Sequence, residues 1–170
     1  MRVIKTTTIS ILALGLLAGS AVGVAAQEDS QAPASVTGTF TTPEGVGVPT
    51  GAWENGATRM RDLGFTSTWD ASDPRLSGAL SLRANRDRYD RQQMELGSAL
   101  TAIENEDGRW VGAGTWLGGD ELGETMTLLM RGEDAYEGLT AYVVVDLVTQ
   151  TFAASIFPGD MPAVPEPPAD

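Results

Sequence analysis

The densest knot of reactive side chains in the chain is Asp87-Arg88-Tyr89-Asp90-Arg91. A tyrosine beside guanidinium and carboxylate groups can polarise a carbonyl or steer a reactive intermediate. Tyr136 and Glu137 pair a second phenol with a carboxylate. Tyr89, Tyr136 and Glu137 are therefore the candidate catalytic residues of a cyclase- or isomerase-like pocket, in which shape steers an activated substrate and few polar groups suffice. Asp70 with Asp73, and Glu104 with Glu106 and Asp107, are carboxylate clusters of the kind that bind Ca²⁺. The EF-hand pattern is absent: Asn85 to Asp90 lacks the turn glycine and the bidentate glutamate, and contains two arginines. Hairpin turns with solvated acids explain the clusters more simply. The chain has no His and no Cys. That excludes a Ser-His-Asp triad, thiol chemistry, disulfides, haem attachment and ordinary zinc sites. With 23 acids, some pair falls at a glycosidase separation by chance, so number alone carries no hydrolase reading. Gly112, Gly114 and Gly118 lack dinucleotide-fingerprint spacing and lie in a predicted strand. No metal and no cofactor are expected.

Trp110, Gly112, Gly114 and Trp116 share one strand face at period two. A large-small-small-large row suits a tapered barrel interior, where glycine leaves room for a partner side chain. As a binding site, the row makes Trp110 and Trp116 the indole walls of a cavity, with Met126 and Met130 as adaptable filler. The plainer reading is core packing, since buried aromatics usually fill space. Trp69 is a further candidate for the cluster, and so is Trp53, although Trp53 sits in a loop-like stretch.

The elements that must hold these side chains are strands. No amphipathic helix is evident; apolar residues recur at period two and turn chemistry every 10 to 14 residues or so. Val36, Gly38 and Phe40 alternate with threonines, and a Gly/Pro-rich loop follows from Pro43 to Gly56. Strands are predicted over Thr58 to Leu63 and Phe65 to Asp70. Asp70 to Pro74 reads as a tight turn. Leu76, Gly78, Leu80, Leu82 and Ala84 then line one face. Gln93 to Glu104 is a strand with a bulge expected at Gly97. Asn105-Glu106-Asp107-Gly108 is a hairpin whose glycine accepts positive φ. Trp110 to Leu117, Met126 to Met130, Leu139 to Leu147 and Phe152 to Ile156 complete the series. Such a chain must hide its edges, and closure into an antiparallel barrel of about eight strands does so. A two-sheet β-sandwich is the alternative.

Gly132-Glu133-Asp134-Ala135-Tyr136-Glu137-Gly138-Leu139-Thr140-Ala141-Tyr142 resembles the Gly-x-Gly-x-Tyr/Phe-x-Gly-x-x-Gly segment of dirigent and allene-oxide-cyclase-like barrels. The Gly112-x-Gly114 strand is similar in style. Ala135 and Ala141 stand where that pattern has glycines. The resemblance covers Gly108 to Val148 and implies an eight-stranded barrel with an apolar interior; it transfers no catalytic residue. The whole chain is also similar to secreted bacterial β-proteins of uncharacterised activity.

The ends set the expected compartment. Arg2 and Lys5 precede a stretch without charge from Thr6 to Ala26, with a Leu/Ile-rich centre and Val24-Ala25-Ala26 before Gln27. That is the layout of a cleaved export signal. Leu16 to Ser20 is similar to a bacterial lipobox, with Ser20 where a lipidated cysteine would stand, so no lipid anchor forms. The expected organisation is a signal peptide over 1–26, a flexible arm over 27–35, a barrel over 36–157 and a Pro-rich disordered tail over 158–170. After cleavage no membrane anchor is left. Nine basic groups, all arginine, then face 23 acidic ones. Such a polyanion is not expected to bind nucleic acid or anionic membranes. The sequence leaves oligomeric state open. It points to a secreted, non-catalytic β-barrel that binds a small apolar or amphipathic ligand or serves as an extracellular module. The alternatives are the cyclase- or isomerase-like enzyme and a Ca-dependent or acidic surface interaction protein.

Overall fold

The computed structural model describes residues 33–46, 50–54, 56–119, 123–159 and 161. The stretch expected to be an export signal, most of the expected arm and the expected tail beyond Met161 lie outside the described residues. The described chain is all-β. Its strands are β1 (Ala34–Phe40), β2 (Glu44–Val46), β3 (Thr50–Glu54), β4 (Ala57–Ala71), β5 (Gly78–Tyr89), β6 (Met94–Glu104), β7 (Gly108–Gly119), β8 (Gly123–Asp134), β9 (Leu139–Asp146) and β10 (Thr151–Pro158). One 3-10 turn, Pro74–Leu76, links β4 to β5.

From β4 to β10 each strand pairs antiparallel with the next, and β10 pairs with β1. Gly38, Thr39 and Phe40 of β1 then pair with Ala71, Asp70 and Trp69 of β4. That last contact closes a ring of eight strands and decides for a barrel over a sandwich. Closure satisfies backbone groups that an open edge would leave unpaired. The ring is uneven: β5 and β7 are 12 residues long, whereas β1 has seven and β9 and β10 have eight.

Three local expectations are corrected. The stretch expected to loop from Pro43 to Gly56 carries β2 and β3, which continue the lane of β1 along β4. Glu54 pairs with Ala57 across a two-residue connection. The two strands expected between Thr58 and Asp70 are one, bent by a register shift between Met60 and Leu63. Asp62 supplies the irregularity at φ 56°, and its N–H donates to Asn85 Oδ1 at 3.1 Å. β6 itself runs in unbroken register through Gly97.

Period two puts the apolar residues inside. Val36, Leu80, Leu82, Ile103, Trp110, Leu128, Met130, Val143 and Ile156 are all buried in one core. The row on β7 behaves as its spacing requires. A side chain on Gly112 would meet Met130 Cγ at 2.7 Å, and one on Gly114 would meet Leu128 Cδ2 at 2.6 Å. The two glycines therefore make the room that Met130 and Leu128 fill.

One end of the barrel is plugged. Leu76, the last residue of the 3-10 turn and fully buried, caps it. Trp110 Nε1 donates to the Arg75 carbonyl at 2.7 Å, and its ring stacks on Tyr136 with centroids 5.3 Å apart. Tyr136 OH donates to Asn105 Oδ1 at 2.7 Å, and Asn105 Nδ2 donates to the Ser77 carbonyl at 2.8 Å. Asn105 Oδ1 also accepts from the N–H groups of Asp107 and Gly108. Three connections are thus tied together through one amide side chain. Gly108 has no positive φ here. It is small because the Tyr136 ring lies 3.0 Å from where its Cβ would be.

Candidate functional site: the open-ended cavity

The other end, bounded by the turns after β5 and β9 and by Thr41 to Pro43, is not filled. A partly open cavity of about 230 Å³ lies there. Its walls are mainly apolar: Phe40 from β1, Phe65 and Trp69 from β4, Leu80 and Leu82 from β5, and Trp116 from β7. Met126, Val145 and Leu147 complete them, with Pro43 near the rim. Polar groups enter the wall at Ser67 and Glu124. Trp69 is held by stacking on Phe152 at 4.2 Å and on Phe40 at 5.9 Å. Ser67 Oγ donates to the Thr41 carbonyl at 2.8 Å, which fixes the segment leaving β1 against β4.

A charged group lies inside the barrel next to this cavity. Arg86 and Arg88 fall on the same parity of β5 as Leu80, Leu82 and Ala84, and Glu95 falls on the parity of Ala99 and Ile103 in β6. Arg86 Nη2 makes an ion pair with Glu95 Oε2, and Arg88 Nη1 lies 3.6 Å from Glu95 Oε1. The Arg86 guanidinium also covers the Trp116 ring, 4.2 Å from its centroid. Burial holds the Arg86 guanidinium below the ordinary arginine range; the Glu124 carboxylate opposes that shift and the Arg88 charge adds to it. The pair is enclosed enough for loss of either partner to leave a costly unpaired charge.

The expected binding residues divide between the two ends. Trp116 and Met126 line the cavity. Trp110 and Met130 are fully buried in the filled half and do not. Trp69 joins the wall; the side chain of Trp53, in β3, lies outside the described residues. The expected catalytic residues do not converge. Tyr89 borders a groove with Arg61, Asp87 and Leu96. Tyr136 is consumed by the plug, and Glu137 sits exposed in the turn after β8. Among the described residues no three acidic side chains gather in a way that could hold a metal. Asp73 instead accepts from Arg75 N at 3.1 Å and pairs with the Arg75 guanidinium at 2.6 Å, and that guanidinium holds its carboxyl below the usual carboxylate range. Among the same residues no helix is long and apolar enough to cross a membrane.

Phe40, Phe65, Leu80, Leu82, Glu124, Val145, Leu147 and the Arg86–Glu95 pair were not singled out from the sequence as site residues. Their signal is parity: each stands an even number of positions from a core residue of its own strand, and Leu147 continues the parity of Val143 and Val145 one residue past β9. No protein-family profile, no curated protein and no solved structure matches the chain.

Proposed function

We propose that this protein is an exported, non-catalytic β-barrel that captures a small apolar or amphipathic molecule in its open end. The observation that carries the reading is the partly open cavity of about 230 Å³, walled by Phe40, Phe65, Trp69, Leu80, Leu82, Trp116 and Met126. Ligand sites have this construction, with apolar walls and a few polar groups to orient the guest. The size fits a compact guest, since an engineered apolar cavity of about 150 Å³ accepts benzene. Export is supported by the arrangement of Arg2, Lys5 and the uncharged stretch before Gln27. The dirigent and allene-oxide-cyclase-like reading belongs to the same proposal. The segment Gly132 to Tyr142 forms the end of β8, its turn and the start of β9. The enzyme reading gains no support, because Tyr89, Tyr136 and Glu137 stand apart from the cavity.

The test is a titration with hydrophobic fluorescent probes, followed by indole emission. Trp69 and Trp116 border the cavity, so saturable quenching or a spectral shift is expected. A linear, unsaturable response at soluble probe concentrations would sink the reading.

A further inference from the structure

The outside of a barrel wall is where side chains meet water, yet one row of it is covered. Ala102 of β6 pairs with Val111 of β7, Val111 with Arg131 of β8, and Arg131 with Thr140 of β9. All four have outward parity, and neither Ala102 nor Val111 belongs to the core inside the barrel. Even so, Val111 is 0% exposed, Ala102 1% and Thr140 2%. One row nearer the cavity on the same wall, Leu129 is 41% exposed and Tyr142 45%. Ser81, which continues the covered row on β5, is exposed. The cover therefore runs from β9 to β6 and stops short of β5.

The chain leaving β10 heads along this row. Gly159 N–H donates to the Gly138 carbonyl at 2.9 Å, and the Gly159 carbonyl accepts from Thr140 Oγ1 at 2.6 Å. Met161 then lies with Arg131, Gly132 and Glu133 of β8. The next strands in that direction are β7 and β6, which hold Val111 and Ala102. The sequence that follows is Pro162-Ala163-Val164-Pro165-Glu166-Pro167-Pro168-Ala169-Asp170. Its prolines favour the polyproline II form, with three residues per turn and about 3.1 Å of rise per residue. Met161, Val164 and Pro167 then share one face. Val164 falls about 9 Å beyond Met161, where β7 and β6 lie about 5 and 10 Å beyond β8. A pre-set extended segment loses little entropy on docking. Glu166 and Asp170 bring negative charge to a wall that carries Arg109 and Arg131 on its outward parity. We propose that residues 162–170 bind in cis along this row as a polyproline II strap, with Val164 over Val111 and Ala102. The inference is independent of ligand capture, because the row lies outside the barrel, toward the plugged end.

The chain has no cysteine, so a single introduced thiol reports its own cover. Val111→Cys should react with a maleimide at least about tenfold more slowly than Leu129→Cys, because reaction requires the strap to open first. Val164→Asp sets a charge against the apolar row, and truncation after Asp160 removes the strap. Each change should bring the Val111→Cys rate close to the Leu129→Cys rate while leaving Leu129→Cys as it was. A synthetic peptide of residues 161–170, added to the truncated chain, should restore the protection. Circular dichroism of each variant verifies folding.

Equal rates for the two thiols, or protection of Val111→Cys that survives both changes, overturns the strap. Protection lost on deleting residues 27–32 instead assigns the row to the N-terminal arm, and protection lost on dilution assigns it to a second copy of the chain; both outcomes overturn the proposal. Should the truncated chain fail to fold, Val164→Asp in the full chain decides alone.

Discussion

The indole nitrogen of Trp110 donates to the backbone carbonyl of Arg75 at 2.7 Å, joining β7 to the turn that leads into β5. This contact and the Tyr136–Asn105 bond at 2.7 Å make one end of the barrel solid. The same residue type at position 116, three turns of the pleat away, faces an unfilled space. One row of side chains therefore packs solidly at one end and lines an open cavity at the other.

The plug should be stability without binding. Asn105→Ala removes the acceptor for Tyr136 OH and the donor to the Ser77 carbonyl. It is expected to destabilise the fold by about 2 kcal/mol, since each lost partner leaves a half-buried group unsatisfied. Urea unfolding should show the lower midpoint, while probe affinity at the open end should stay within twofold below the transition.

The glycine row predicts a steep local cost. A Cβ at Gly114 would run into the Thr127 carbonyl as well as the Leu128 side chain, and a backbone oxygen cannot swing aside. Gly114→Ala should destabilise by roughly 3 kcal/mol, at the upper end of overpacking effects. A Cβ at Gly45 approaches only Phe65, at 3.9 Å, so Gly45→Ala should cost far less. Thermal unfolding of the two variants side by side is the measurement. Equal midpoints would contradict the register of β7 on β8.

The interior ion pair makes an asymmetric prediction. Glu95→Gln leaves Arg86 enclosed with a weakened partner and should cost about 3 kcal/mol. The double replacement Arg86→Met with Glu95→Leu removes both charges and should recover most of that loss, because the desolvation cost disappears with them. Denaturant midpoints for the single and double variants decide it; a double variant less stable than Glu95→Gln would refute the buried-pair account.

Acid sensitivity follows from two carboxylates. The Arg75 guanidinium lowers Asp73, and the Thr149 N–H, followed by the Thr149 hydroxyl, lowers Asp146, which also accepts from Val148. A carboxyl whose folded pKa lies below its unfolded value contributes stability above the unfolded value, near 3.9 for aspartate. That contribution is lost as pH falls through the folded value. Asp73→Asn should therefore lower the unfolding midpoint at neutral pH and narrow its gap to the parent as pH drops toward 2. A gap independent of pH would show that the Asp73–Arg75 pair does not differ between folded and unfolded chains.

How far the sequence carried these conclusions depended on the residue. The alternation of Leu80, Leu82 and Ala84 and of Met126, Leu128 and Met130 was legible because a strand with one buried face has no freedom over which parity turns inward. Barrel over sandwich was not legible, since it rests on three pairings between β1 and β4 that local pattern does not encode. β2 and β3 were obscured by their glycines and by Pro43 and Pro49 just before them, although Asn55-Gly56 is a strong two-residue hairpin signal. At the site, Trp116 and Met126 were found because they are apolar and periodic. Arg86 and Glu95 carry no apolar signal of their own, although their parity on β5 and β6 turns them inward. Trp110 and Met130 share parity with the site residues but sit at the other end. Depth along a barrel follows from the stagger of its strands, which no single strand reveals.

The described chain enters β1 at Ala34 and leaves β10 toward Gly159 at the plugged end, where Gly159 N–H donates to the Gly138 carbonyl at 2.9 Å. The described chain therefore enters and leaves the barrel at the end away from the cavity. A support coupled directly at Ala34 or Pro158 would leave the cavity end pointing away from it.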